Sequence, residues 1–206
     1  PDVVVKPEST SQVAAIVSFA ATNNIPVTPR GGATGLCGGC VASQGGILIS
    51  FERLNRIVEI DSSNLMAVVE AGVTLDDFYD AVEKDGLFFP PHPGDEGATV
   101  GGVIATNAGG ARAVKYGVIR NFIRGIEAVL PDGRVVTIGG KLMKSSSGYR
   151  LLQLMVGSEG TLGIITRATI SLMPPPAHMY TLVAPFESLH RAIAAVPKII
   201  QRKILP

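Results

Sequence analysis

The chain has 206 residues, a length that fits one domain or two small ones. Hydrophobic residues make up 46% and charged residues 17%, which excludes an intrinsically disordered chain. Lys and Arg number 18 against 17 Asp and Glu, and this balance gives no support to a nucleic-acid-binding protein. The 24 glycines, about 12% of the chain against a usual ~7%, indicate many tight turns and close backbone approaches.

The sequence also bears on location. The longest apolar runs, such as residues 16–21, are far shorter than the ~20 residues that cross a bilayer, and no signal-peptide pattern opens the chain. We therefore expect a cytoplasmic protein without a membrane span. The chain begins at Pro1 and stops just after a helical pattern, so we expect a piece of a longer protein.

The first quarter of the chain predicts a small α/β unit. Ser9 and Gln12 form the capping-box pattern of a helix whose apolar face holds Val13, Val17 and Ala20. Apolar runs predict strands around this helix and after it, at residues 3–5, 25–28 and 47–50. A long glycine-rich loop, residues 29–46, joins the last two strands.

From residue 57 the pattern changes to hairpins and helices. Thr74 predicts the N-cap of a helix that ends at Gly86. Strands are predicted at residues 57–60, 67–70, 125–130, 134–138 and 164–173, with Pro131-Asp132-Gly133 as one of the turns. Three prolines end this unit at residues 174–176, and residues 189–200 follow with helical character that we expect Pro197 to interrupt.

Neither common nucleotide motif is present. We find no G-x-G-x-x-G after a strand and no G-x-x-x-x-G-K-[ST]. Instead, residues 29–39 read Pro-Arg-Gly-Gly-Ala-Thr-Gly-Leu-Cys-Gly-Gly. Successive N–H groups without bulky side chains can form a concave anion site, which a pyrophosphate could enter because no Cβ keeps it away. The alternative is a flexible surface loop.

Two more glycine-rich stretches favour a ligand site. Residues 97–110 and 157–165 interleave glycines with Val, Ile and Leu, which a disordered linker would not do. Together with the matched segments Pro90–Pro93, Val114–Gly117 and Val156–Gly163, the three stretches resemble the FAD-binding domain of the vanillyl-alcohol oxidase and p-cresol methylhydroxylase (PCMH-type) family. Within that family, the similarity is to the branch of glycolate oxidase FAD-binding subunits and D-lactate dehydrogenases. It covers nearly the whole chain.

The resemblance implies an α+β fold of two subdomains, a small α/β unit and then a larger, mainly antiparallel sheet with helices. We place the first subdomain at residues 1–56, the second at 57–174, and the start of a truncated C-terminal cap domain at 175–206. The implied partners are FAD, a small 2-hydroxy acid and electron-transfer subunits, with no nucleic acid.

The resemblance also implies which residues contact FAD, in four groups. The pyrophosphate loop would be Pro29, Arg30, Gly31, Gly32, Ala33, Thr34 and Gly35. The path from the ribityl chain to the pyrophosphate would be lined by Pro93, Thr99, Gly101 and Gly102. Thr106, Asn107, Ala108 and Gly109 would pass the flavin ring and ribityl chain. The adenine side would be held by Glu159, Gly160, Thr161, Leu162, Gly163, Ile164 and Ile165.

The implied activity is oxidation of a small D-2-hydroxy acid, glycolate or D-lactate, to the 2-oxo acid. The alternative is an FAD-binding module without catalysis of its own. We assign no catalytic residue and no metal ligand here, because in resembling proteins these belong to the cap domain. Covalent members carry a histidine in the first loop, which is absent from residues 31–34, so we expect non-covalent FAD. His92 and Arg150 depart from the pattern, since relatives commonly have Asp there.

Other chemistries have weaker support. Cys37-x-x-Cys40 could be a redox pair or half a zinc site, but the chain has no other cysteine, and free thiols are the simpler interpretation. Ser158 lies outside any G-x-S-x-G motif. Lys115, Arg120 and Arg124 could form a basic patch, although a solvated face is the simpler interpretation.

Overall fold

The computed structural model describes residues 1–203. Its elements, in chain order, are β1 (Val3–Val5), α1 (Thr10–Thr22), β2 (Val27–Arg30), β3 (Ile47–Ser50), β4 (Ile57–Asp61), β5 (Met66–Glu70), α2 (Leu75–Lys84), α3 (Val100–Thr106), α4 (Ala113–Tyr116), β6 (Ile123–Val129), β7 (Val135–Gly139), α5 (Leu151–Met155), β8 (Ile164–Ser171) and α6 (Leu189–Gln201). The end of the predicted cap segment, residues 204–206, lies outside the described part.

The N-terminal unit is a parallel sheet of three strands in the order β1-β3-β2. Helix α1 begins where predicted, since the Ser9 hydroxyl accepts the N–H of Gln12 at 3.3 Å. Its buried residues are the predicted Val13, Val17 and Ala20, and they pack with the central strand. The small α/β unit is confirmed.

The second unit is an antiparallel sheet of five strands in the order β4-β5-β8-β6-β7. One face of this sheet packs against α2, α3 and α5 in a single apolar core. Phe78 of α2 is fully buried there, in edge-to-face contact with Phe89 at 5.1 Å. The mixed α+β fold of two units is therefore confirmed.

The two units share a core of their own. Val129 of β6 and Ile164 of β8 belong to the same apolar cluster as Val13 and Ile49 of the first unit. A hydrogen bond of 2.6 Å from the Thr10 hydroxyl to the Glu127 carboxylate adds a polar contact at this junction. Such a junction holds the glycine-rich loop of the first unit in place beside the second sheet.

A buried carboxylate marks the end of β5. Glu70 is 1% exposed, and Arg56 binds it through its backbone N–H at 2.8 Å and through Nη2 at 2.7 Å. Burial raises the pKa of Glu70, but these hydrogen bonds outweigh it, so the net pKa lies below the usual 4.5. The pair ties the segment before β4 to the strand that leads into the site.

Three details of the prediction were wrong. Strand β2 begins two residues later than expected and includes Pro29, which an edge strand tolerates. Residues 100–106 form a helix where only a glycine-rich stretch was expected. Helix α6 continues through Pro197 instead of being interrupted, in a segment where no side chain is buried.

None of residues 174–203 is buried. Leu189 and Ile193 of α6 are 77% and 61% exposed. The boundaries at residues 56 and 174 stay predictions. Among the described residues, we find no helix with both the length and the apolar character needed to cross a membrane.

Candidate functional site

A cleft of about 490 Å³ opens between the two units, within the usual range of roughly 300–1,000 Å³ for ligand sites. Its walls come from all three glycine-rich stretches predicted from the sequence. Most lining residues are small or apolar, and the charged ones are Arg30, Asp95 and Glu159. The cleft therefore offers a ligand backbone groups and apolar surface more than side-chain charge.

The first glycine-rich loop, residues 31–40, has backbone N–H groups that are available to a ligand. Within the described chain, no N–H group of residues 31–40 donates a hydrogen bond. These residues lie at the cleft, and most are exposed. Unused N–H groups on a glycine-rich loop form an anion site without a charged side chain, and this fits a pyrophosphate. The flexible-loop alternative loses support, since the loop packs closely at two of its glycines.

Those two glycines are Gly31 and Gly32, which press against the start of α3. A Cβ at Gly31 would collide with the Thr99 hydroxyl, and one at Gly32 would collide with the carbonyl oxygen of Gly97. Neither glycine has a positive φ, so close approach, and not backbone conformation, is what requires them. Ala33 does adopt a left-handed φ of 59°.

Helix α3 has few free donors at its first turn, in contrast to the loop. The N–H groups of Val100 and Gly101 donate to Val73 and Ala71 at 2.8 Å each, and that of Gly102 donates to the Thr99 hydroxyl at 3.4 Å. A Cβ at Gly101 would lie 2.6 Å from the Ala71 Cβ. This stretch therefore shapes the wall of the cleft, while the first loop supplies the donors.

The third stretch is fixed by Arg120. Its guanidinium donates to the carbonyl oxygens of Gln153 and Val156 at 2.6 Å each, and its backbone N–H donates to the Asn107 side chain at 3.1 Å. Glu159, with a left-handed φ of 52°, donates its N–H to Ala105 at 2.8 Å. These hydrogen bonds hold the third glycine-rich stretch, residues 157–165, against the end of α3.

The cleft brings together most of the predicted contact residues, although their contacts with a ligand stay predictions. Four lie outside the lining: Asn107, Gly109, Thr161 and Leu162. Asn107 instead ends α3 in a left-handed conformation with φ 50°. Residues that the sequence analysis missed also line the cleft, among them Phe51, Ala71, Val103 and Ala105. Phe51 directly follows β3, and the carboxyl ends of parallel strands are a known location for ligands.

The two cysteines and the basic residues were the other candidate functional groups. Cys37 and Cys40 are free thiols that line the cleft. Within residues 1–203, no cluster of three or more His, Cys, Asp or Glu side chains could hold a metal ion. The solvated basic face was wrong for Arg120, whose guanidinium is committed to main-chain carbonyls, whereas Lys115 is exposed.

His92 lies beside the cleft rather than in it. Its ring is 5.4 Å from the Tyr79 ring, and its Nε2 is 3.8 Å from a Glu96 carboxylate oxygen. Both neighbours border a second, smaller cavity of about 280 Å³. Burial raises the pKa of Tyr79 to about 12, and its hydroxyl donates to the Pro91 carbonyl oxygen at 2.7 Å.

Comparison with known proteins agrees with this site. The FAD binding domain family matches residues 1–139. A D-lactate dehydrogenase of Archaeoglobus fulgidus is 52% identical over 99% of this chain and 46% of its own length. The glycolate oxidase subunit GlcD of Bacillus subtilis is 44% identical over 100% of this chain and 44% of its own length. The chain thus spans about half the length of these relatives.

A solved structure supports the fold independently. An alkyldihydroxyacetonephosphate synthase superposes on the whole chain with a TM-score of 0.83 and 26% identity, over 38% of its own length. The free N–H groups of the first loop, the glycines that admit a ligand and the size of the cleft all fit FAD. The chain belongs to the FAD binding domain family of flavin-dependent oxidoreductases, and its cofactor is FAD.

Proposed function

We propose that this chain is the FAD-binding part of a longer flavoenzyme that oxidises a small D-2-hydroxy acid, glycolate or D-lactate, to the 2-oxo acid. The observation that carries the proposal is the match of nearly the whole chain, at 52% identity, to a protein named D-lactate dehydrogenase. FAD supplies the acceptor for a hydride equivalent in such chemistry. Residues 29–35 would hold the pyrophosphate, and FAD would be bound non-covalently because no histidine occurs among residues 31–34.

Catalysis would need residues from outside this chain. A hydroxy acid must be held by its carboxylate about 3–3.5 Å from its acceptor, with a base in reach. Among the residues that line the cleft, Arg30 is the one cation and none is a histidine. Arg30 belongs to the loop that would hold the pyrophosphate, so its charge would serve the cofactor. The described residues that line the cleft therefore offer no second cation to hold the substrate carboxylate and no histidine as a base. This supports a protein whose substrate-binding residues belong to a cap domain.

Residues 175–206 would begin that cap domain. None of the described residues from 174 onward is buried, and α6 carries exposed apolar side chains such as Leu189, Ile193 and Val196. Electron-transfer subunits would reoxidise the flavin, and the location would be cytoplasmic. Fractionation of cells that produce the protein would test the location, and copurification would test the subunits.

Anaerobic reduction tests the activity. The longer protein with FAD should lose its oxidised-flavin absorbance when D-lactate or glycolate is added, and L-lactate serves as the stereochemical control. This chain with FAD should keep its absorbance with all three acids. If neither acid reduces the flavin of the longer protein, the alternative of a cofactor-binding module without this catalysis is favoured. If an acid rapidly reduces the flavin bound to this chain, the catalytic base lies inside the chain, and His92 is the first residue to replace.

A further inference from the structure

Two cysteines flank the rim of the cofactor cleft, and their chemistry is not used by FAD binding. Cys37 is exposed and Cys40 is half-buried, both are free thiols, and only Gly38 and Gly39 separate them. We propose that Cys37 and Cys40 are a thiol modification site: when the cleft lacks FAD, they react with a small-molecule disulfide to form an intrachain disulfide that weakens FAD binding. This rests on FAD binding in the cleft and not on hydroxy-acid oxidation.

The local backbone favours closure of such a ring. A disulfide needs Cα atoms roughly 4.4–6.8 Å apart, and residues three apart across a tight turn approach to within about 7 Å. The chain turns at the adjoining residues 38–41, since the N–H of Val41 donates to the carbonyl oxygen of Gly38 at 2.9 Å, and Gly38 has a φ of 75°. The intervening glycines carry no side chain that would resist a further change of conformation.

The loop can also move without breaking any hydrogen bond that its own N–H groups donate. Within the described chain, residues 31–40 donate no backbone hydrogen bond, so drawing Cys37 toward Cys40 breaks none of their donations. The more rigid part of the loop lies at Gly31 and Gly32, which pack against the start of α3. The cysteine end is therefore the part that a covalent link can reshape.

The reaction is a balanced thiol–disulfide exchange. The thiolate of one cysteine attacks a sulfur of the small disulfide, forms a mixed disulfide and releases one small thiol. The second cysteine thiolate then attacks the cysteine sulfur of the mixed disulfide and releases the second small thiol. The loop loses two electrons and two protons, and the reagent gains both.

Closure would act on FAD through the cleft rim. The same loop carries the unused N–H groups that fit a pyrophosphate, and the disulfide would fix the conformation of its last four residues. A Cβ at Gly39 would lie 3.9 Å from a Glu159 carboxylate oxygen, so this segment also borders the third glycine-rich stretch. By linkage, a disulfide that disfavours FAD must itself be disfavoured when FAD is bound.

The test compares FAD affinity before and after oxidation. The chain, freed of FAD, is incubated with oxidised glutathione, intact mass follows the loss of two hydrogen atoms, and flavin fluorescence gives the Kd. We expect the intrachain disulfide to raise the Kd at least about tenfold, a change of ~1.4 kcal/mol, and a strong reductant to restore it. Protein loaded with FAD should contain less of the disulfide at equilibrium in a buffer of reduced and oxidised glutathione.

Matched variants assign the effect to the pair. Cys37→Ser and Cys40→Ser should each stop at the mixed disulfide with glutathione, and the Kd of the double variant should not respond to the reagent. A disulfide that forms with an unchanged Kd would overturn the proposal. So would failure of the free thiols to form a disulfide, an equal extent of disulfide formation at equilibrium with and without FAD, or an equal loss of affinity in the double variant.

Discussion

Gly32→Ala is the smallest change that tests how the first loop is held. The new Cβ would collide with the Gly97 carbonyl oxygen and lie 3.2 Å from the Ala98 Cα, and both are main-chain atoms that cannot rotate away. Overpacking of this kind costs about 1–3 kcal/mol of stability. If the loop shifts and one charge-assisted hydrogen bond to the pyrophosphate is lost, the cost of ~1.5–3 kcal/mol raises the Kd for FAD about 12-fold to about 140-fold.

Gly35→Ala is the matched control for stability in the same loop. A Cβ at Gly35 meets no described atom within 4 Å, and its φ is not left-handed. Urea unfolding of the FAD-free proteins should show Gly32→Ala less stable than the parent and Gly35→Ala equal or slightly more stable. Flavin fluorescence titration gives the Kd. Equal unfolding free energies for the two variants would refute the packing argument, and an unchanged Kd for Gly32→Ala would refute the role of the loop.

Three further predictions concern residues around the cleft. Arg120→Ala should lower the unfolding free energy by about 1.5–3 kcal/mol and weaken FAD binding, because the carbonyl oxygens of Gln153 and Val156 lose their donor. Urea unfolding and FAD titration measure the two effects. The control Arg150→Ala, at an exposed position without a capping hydrogen bond, should change neither quantity. The lowered pKa of Glu70 gives stability that is present above pH 4.5 and lost as the pH falls through the folded pKa. In Glu70→Gln, the free energy of unfolding measured with urea should therefore fall less steeply below pH 4.5 than in the parent. The raised pKa of Tyr79 gives stability present below pH 10.0 and lost as the pH rises through about 12, so Tyr79→Phe should remove a phenolate titration near 12 in the ultraviolet spectrum.

The sequence predicted well those elements that local chemistry determines. Helix α1 begins at Ser9 because its hydroxyl accepts an N–H of the first turn, which a capping box encodes directly. The turn at Pro131-Asp132-Gly133 joins β6 and β7 as expected, with Gly133 at a φ of 86°. Helix α2 likewise ends before Gly86, at a φ of 70°.

Other features depend on distant contacts and could not be predicted. Helix α3 contains two glycines, which disfavour helix, and it forms where Val100 and Gly101 donate to Val73 and Ala71. Strand β8 lies between β5 and β6, a position that its order in the chain does not predict. The role of Arg120 was missed because its acceptors are main-chain carbonyls more than 30 residues away.

The cleft was predicted only in part, because some of its features also depend on distant contacts. Glycine-rich stretches revealed the loops of the cleft, because a missing Cβ is visible in the sequence. They did not show that the first loop keeps its N–H groups free while α3 uses most of its own, since this depends on which acceptors the fold brings near. Asn107 illustrates the difference, as its side chain accepts the Arg120 N–H instead of facing the cleft.

FAD uptake by the purified chain is a direct test of non-covalent FAD binding in this cleft. The chain, freed of bound flavin, is titrated with FAD, and flavin fluorescence and the visible spectrum are followed to saturation. We expect saturable binding of one FAD per chain, and release of all flavin into the supernatant on acid precipitation. Absence of uptake by a folded chain would contradict FAD binding in this cleft, and flavin that stays with the precipitated protein would contradict the non-covalent attachment.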